Sequence, residues 1–256
     1  MLGMGDPALR EEGRLCVAEM GECGAIEYPA LMTKRGIITL LVLGAIAIAV
    51  VLVVTLPRLL KSEEPDPAPT YVVAIDAGHG GRDPGATADD VLEKDINLLI
   101  AKKVQLLVDA EPDLVVKMTR TLDIFVPLED RIRIAEEAGA TIYVSIHINS
   151  YATEEAHGVE TIVSDARLQD DDAWVLAELL QDAVVEATGA RDRGARSQDS
   201  YMHRTEMPAA SIEVGYLTNP EERERLLDPA YQDQIAGGIL AGIKRFMGWK
   251  YPPVSQ

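Results

Sequence analysis

The sequence predicts a single α/β domain with a central, mostly parallel sheet flanked by helices, preceded by one transmembrane helix. Three observations predict it. From Tyr71 onward, short apolar strand-like runs alternate with segments of helical period, the order that buries a parallel sheet between helices. The first such run ends in the glycine-rich turn Gly78-His79-Gly80-Gly81, at the strand end where α/β sheets place their ligands. Before it, residues 36–56 form a run of 21 residues without a charge. At about 1.5 Å per residue such a run reaches roughly 30 Å, enough to cross a hydrocarbon core.

The N-terminal part divides into three stretches. Residues 1–35 are expected to be a cytoplasmic segment, and Met32-Thr33-Lys34-Arg35 resembles a signal-anchor start, which makes residues 1–31 a leader outside the fold. The apolar run at 36–56 is read as an uncleaved signal anchor. A core helix so uniformly apolar would need a larger protein around it. The small-residue sites Ala45-Ile46-Ala47 and Ala47-Ile48-Ala49 lie inside the run rather than after it. Basic residues are balanced, Lys34 and Arg35 against Arg58 and Lys61, so orientation rests on the long domain that follows a short N-terminal segment. Residues 57–70 are a linker whose Ser-Glu-Glu-Pro-Asp-Pro-Ala-Pro-Thr stretch is acidic and Pro-rich, an extended strut of about 30 Å.

The expected catalytic domain covers residues 71–248, with a short tail at 249–256. Strands are expected at 71–76, 113–118, 141–148, 158–163 and 209–214, from apolar runs or period-two alternation. Helices are expected at 94–109, 128–138, 173–187 and 229–247. Ile96, Leu99, Ile100, Val104 and Leu107 mark one helical face, and Gly139 and Gly189 mark helix ends.

Charge and cysteine content exclude some functions. Residues 71–256 carry 33 acidic and 18 basic side chains, 18 − 33 = −15. Such a surface repels polyanions, with no basic stripe read to offset it, so nucleic acid is not an expected partner. The two cysteines, Cys16 and Cys23, precede the apolar run, so neither a disulfide framework nor a Cys-based zinc site serves the domain.

Four residues are candidates to weigh. His79 sits in a glycine turn that is no phosphate loop, since Asp83 stands where the last glycine of GxGxxG would fall and no Lys-Ser/Thr follows. His147 shares one face of its strand with Ser145 and Asn149, a polar stripe that is costly unless used or satisfied. Glu213 lies in mid-strand in Ala-Ala-Ser-Ile-Glu-Val-Gly, where a carboxylate needs a cation, a metal or a raised pKa. Glu93 reads as a charge suited to a helix N-terminus. Two histidines and a carboxylate from separate strand ends can hold zinc with an open position for water, and a further carboxylate can move the proton. The spacing matches no HExxH helix, so spacing by itself leaves this open.

The ordered segments IDAGHGGRDPGA, LEKDIN, MTR, VSIHINS, GVET and PAASIEVGYLTNPEE resemble the zinc-dependent N-acetylmuramoyl-L-alanine amidases over about residues 72–247. The resemblance implies an α/β fold with a sheet of about six strands, one zinc ion on His79, Glu93 and His147, and Glu213 as the catalytic residue. It further implies peptidoglycan as substrate, cleaved between N-acetylmuramic acid and L-alanine, in wall remodelling or the spore cortex. Relatives restrained by an inhibitory helix carry a long insert between the second histidine and the catalytic glutamate; the interval 147–213 has no surplus, so that device is not expected. With no wall-binding repeat read in the flanks, the anchor is expected to localise the domain outside the cell membrane. The alternatives are a zinc peptidase or deacetylase acting on another wall amide, and a non-catalytic, membrane-tethered wall binder. Arg131, Asn149 and His203 are weaker candidates for substrate contact, and His157 is expected in an exposed loop.

Overall fold

The computed structural model describes residues 34–59 and 70–252. The expected leader with Cys16 and Cys23, nearly all of the acidic linker and the last tail residues lie outside them. Lys34–Leu59 forms one helix, α1. Its stretch Lys34–Thr55 is long and apolar enough to cross a membrane. The domain that begins near Tyr71 is a separate unit.

In chain order the domain contains β1 (Tyr71–Ala77), β2 (Thr87–Ala88), β3 (Val91–Leu92), α2 (Glu93–Val108), β4 (Leu114–Met118), α3 (Leu128–Glu137), β5 (Ile142–Asn149), β6 (Val159–Ser164), α4 (Asp172–Thr188), β7 (Asp192–Gln198), a 3₁₀ turn (Tyr201–Arg204), β8 (Ala209–Tyr216), α5 (Pro220–Leu227) and α6 (Pro229–Lys250). Six strands form the sheet in the order β4-β1-β5-β8-β6-β7. β4, β1, β5 and β8 run parallel, β6 is antiparallel to β8, and β7 is parallel to β6. The mostly parallel six-stranded sheet is therefore as expected.

Period-two alternation sorts the strand residues between two unlike faces. Val73 and Ile75 of β1, Val144 and Ile146 of β5, and Ile212 and Val214 of β8 are fully buried in the main core with α2, α4 and α6. The matching helix stripes include Ile96, Ile100 and Val104, Leu176 and Leu180, and Ile235, Ile239 and Phe246. Each such side chain contributes about 1.5–3 kcal/mol by leaving water. A smaller cluster, Ala74, Tyr143 and Ala209 against Ile132, Ala135 and Met202, packs α3 and the 3₁₀ turn on the other face.

Several elements went unread in the sequence. β7, Asp-Arg-Gly-Ala-Arg-Ser-Gln, has no apolar alternation because it is the sheet's edge and meets solvent. The two-residue strands β2 and β3 form a small hairpin. α5 carries a legible start: the Asn219 side chain accepts from Glu222 N and Pro220 opens the helix. The last helix runs past the expected Met247 to Lys250, and Tyr251 stacks on Tyr71 with ring centroids 4.5 Å apart.

Candidate active site

The less apolar face of the sheet carries a row of polar side chains. His147 on β5 is the register partner of Glu213 on β8, and Glu213 is in turn the partner of Glu160 on β6. Register partners share a face, so three strands place His147, Glu213 and Glu160 side by side.

His79 reaches this row from the turn after β1. Its φ is 60°, a left-handed conformation that a non-glycine residue keeps only when its surroundings enforce it. Two buried arginines do so. Arg120 donates to Ala77 O at 2.8 Å and Gly78 O at 2.9 Å. Arg131 donates to Ala77 O at 2.9 Å and His79 O at 2.7 Å. Arg131 is 2% exposed and pairs with Asp76 at 2.6 Å. This corrects its expected role: with its donors spent on the backbone and Asp76, it shapes the turn rather than touching substrate. Asn149 is likewise engaged, donating to Glu160 at 2.5 Å and accepting from Ser150 N.

Glu93 opens α2 and is 3% exposed. Its Oε2 accepts from Ala86 N at 2.8 Å, and its Oε1 from Ile148 N and Asn97 Nδ2, each at 3.0 Å. The same Oε1 lies 3.2 Å from His79 Nε2 and 3.0 Å from His147 Nδ1. His79, Glu93 and His147 thus offer ligand atoms that all lie within 4.8 Å of one another. Around a tetrahedral zinc with bonds of about 2.0–2.1 Å, neighbouring ligand atoms stand about 3.3 Å apart. The two observed N···O separations fit that spacing, and the donor set of two imidazoles and a carboxylate suits zinc chemically.

Two glycines make room for this cluster. A Cβ on Gly78 would lie 2.3 Å from His147 Cε1. At Gly85, where φ is +67°, it would lie 2.4 Å from Glu93 Oε2. Behind His79, Asp83 Oδ2 meets Nδ1 at 2.9 Å, which fixes the tautomer and leaves Nε2 for a cation. Asp83 is the functional residue that the sequence reading missed; a carboxylate four residues after a histidine, inside a glycine turn, was the available signal.

The protonation states reflect this crowding. Burial works against charge on His147, but the Glu93 hydrogen bond and the nearby carboxylates outweigh it and hold the imidazole up at about 9. His79 is raised in the same way, burial notwithstanding, by Glu93. Glu93 is itself drawn well below the usual carboxylate range by the two histidines despite its burial. The His147 imidazole must give up a proton to take a cation, so metal binding here releases protons. Glu213 behaves oppositely: burial first, with Glu93 and Glu160 beside it, pushes its carboxyl up to about 7 against the pull of His147 and His79.

Glu213 is not enclosed as mid-strand placement suggested; it is half-buried, at the floor of a cavity of about 410 Å³. Ser145, His147 and Ser211 share that floor, and residues 198–204, including His203 and Arg204, make one wall. His157 is exposed, with Nδ1 on Glu155 O at 2.8 Å, and takes no part in the cluster.

Known proteins carry the same arrangement of sequence and fold. Residues 73–245 match the family described as N-acetylmuramoyl-L-alanine amidase. The endolysin of Bacillus phage SPP1 is 36% identical over 183 residues, 70% of this chain and 67% of its own length. The germination-specific N-acetylmuramoyl-L-alanine amidase of Bacillus subtilis is 30% identical over 198 residues, 71% of this chain and 82% of its own. The crystal structure of an N-acetylmuramoyl-L-alanine amidase from Clostridium difficile 630 superimposes with a TM-score of 0.68 at 36% identity, covering 72% of this chain and 100% of that one. From the matched domain and its six-stranded fold, the chain belongs to the N-acetylmuramoyl-L-alanine amidases, enzymes that hydrolyse the amide between N-acetylmuramic acid and L-alanine in peptidoglycan.

Proposed function

We propose that the amidase reaction runs at one zinc ion held by His79, Glu93 and His147, with Glu213 as the proton carrier. The observation that carries this reading is the placement of Glu213 beside His147, its register partner, at the floor of a cavity that meets the three-ligand cluster at His147. Zinc, when bound, lowers the pKa of water and polarises a carbonyl. With its carboxyl pushed up to about 7, Glu213 passes readily between its two forms near neutrality: the carboxylate can take a proton from water, and the acid so formed can give it to the departing L-alanine nitrogen. Asp83 and the Arg120–Arg131 pair keep His79 turned towards the cluster. A lytic gel loaded with purified peptidoglycan, with and without chelator, tests the metal. Mass spectrometry of the digest must show stem peptides with a free L-alanine amine; shortened stems or released acetate would mean another wall amide is the target.

Further readings concern where the enzyme works. α1 has the length and apolar character of a signal anchor, which would hold the domain on the outer side of the cell membrane. Protease added to intact spheroplasts should then remove the domain and leave a membrane-bound fragment; full protection would reverse the orientation. Similarity to a germination-specific amidase favours the spore cortex as its wall. Digestion of purified cortex and vegetative peptidoglycan side by side decides between them.

A further inference from the structure

The chain carries a net charge of −18, yet residues 191–204 run against it. They hold Arg191, Arg193, Arg196 and Arg204 against Asp192 and Asp199, 4 − 2 = +2, with His203 in addition. The structure wraps this basic stretch around one side of the Glu213 cavity. Its second half supplies the wall, from Gln198 to Arg204. Its first half is β7, on the strand next to Glu160.

A bulge concentrates the charge. Val159 pairs with Asp192 and Thr161 with Ala195, so two steps along β6 meet three along β7. Arg193 and Arg196 would point to opposite faces of a regular strand; the extra residue turns both towards Glu160. Arg193 Nε lies 2.9 Å and Arg196 Nη2 3.3 Å from Glu160 Oε2. Asn149 and Tyr216 also donate to this carboxylate. Two guanidinium groups against one carboxylate leave a surplus positive charge one strand from Glu213, and the Arg196 side chain remains 45% exposed. At the wall, Arg204 is 47% exposed and holds the exposed carboxylate of Glu129 at 2.6 Å. Such an exposed pair holds only weakly in water, so another carboxylate can take the place of Glu129.

The two halves of the substrate differ in charge. The glycan is neutral, whereas the stem peptide carries free carboxylates. We propose that Arg196 and Arg204 form a carboxylate-binding subsite that seats the stem peptide along the β7 side of the cavity and so fixes which way the scissile amide lies across His147 and Glu213. The proposal rests on the amidase activity and adds to it a preference for stem peptides with unamidated carboxyls.

Calorimetry on the full-length Glu213→Gln chain, zinc-loaded and in detergent, tests this without turnover. The probes are an N-acetylmuramoyl tetrapeptide with free carboxyls and the same compound fully amidated. The acid form should bind about tenfold more tightly at low salt, and Arg196→Ala or Arg204→Ala should each reduce that ratio about three- to fivefold. Glu129→Gln, which removes the competing carboxylate, should tighten the acid form. Equal binding of both probes, binding of neither, or a ratio that survives both arginine substitutions overturns the subsite. Incubating the unsubstituted chain with the same probes separates the two claims. Failure to release peptide from either would count against the amidase reaction, while the binding ratio would still judge the subsite.

Discussion

His147 and Glu213 face each other as register partners on the parallel strands β5 and β8. That pairing joins the candidate cation cluster to the carboxylate proposed to move protons, without any loop between them. A site set by sheet register is positioned by the whole ladder of backbone hydrogen bonds, so its geometry is as rigid as the core behind it. Its parts can then be separated by substitutions that leave the strands intact.

Glu213→Gln keeps the side-chain volume but removes the proposed proton carrier. Hydrolysis of peptidoglycan should fall about 10²–10⁴-fold, the contribution usual for a positioned general base. Bound zinc, measured by atomic emission, should stay at one per chain because His79, Glu93 and His147 are untouched. Retained lytic activity would remove Glu213 from the reaction.

Asp83→Asn tests the support behind His79. The carboxylate accepts from Nδ1 at 2.9 Å, and loss of such a partner lowers metal affinity about 10–100-fold. Competition with a fluorescent chelator should show that drop for zinc. Affinity unchanged within twofold would mean that the Arg120 and Arg131 contacts alone orient the ring.

Most of the sheet was legible because its central strands are buried on both sides and read as apolar runs, as in Ile142–Asn149 and Ala209–Tyr216. β7 was not, since an edge strand that binds Glu160 with arginines has no apolar period to show. The site divides along the same line. His147 and Glu213 stood out because polar residues interrupt apolar strands. Glu93 did not, because a glutamate that opens a helix is ordinary in sequence, and only three-dimensional closure puts its Oε1 3.0 Å from His147. Asp83 offered only its spacing from His79, and the buried arginines act through backbone carbonyls, contacts that leave no pattern along the chain.

Gly78→Ala should damage the site by sterics alone. The new Cβ would fall 2.3–2.7 Å from three atoms of the His147 ring, so the imidazole must leave its place beside Glu93. Zinc affinity and lysis should fall together. The melting temperature in chelator should move by only a few degrees, since the contact lies at the strand end and not in the α2–α4–α6 core. Full zinc affinity in this variant would show that the ring has room the geometry denies it.

Asp76 gives the domain an acid-sensitive buried pair. It is fully buried, and burial alone would raise its pKa. The Arg131 charge and the Ser145 and Thr119 hydroxyls outweigh burial and hold its carboxyl below the ordinary aspartate value. A carboxyl whose pKa is lower folded than unfolded stabilises the fold fully above its unfolded value of about 3.9, and that stabilisation is lost as pH falls through the folded value. Urea unfolding in chelator, which removes any metal contribution, should therefore show stability dropping below about pH 4. Asp76→Asn leaves Arg131 buried without its partner, a loss of about 3–5 kcal/mol at neutral pH. It should also flatten the acid limb, because the group that titrates is gone. An Asn variant that keeps the full acid slope would place the sensitivity in other carboxylates. One that keeps full neutral stability would mean that the carbonyls of Ala77, His79 and Val126 suffice to hold Arg131, and with it the turn that carries His79.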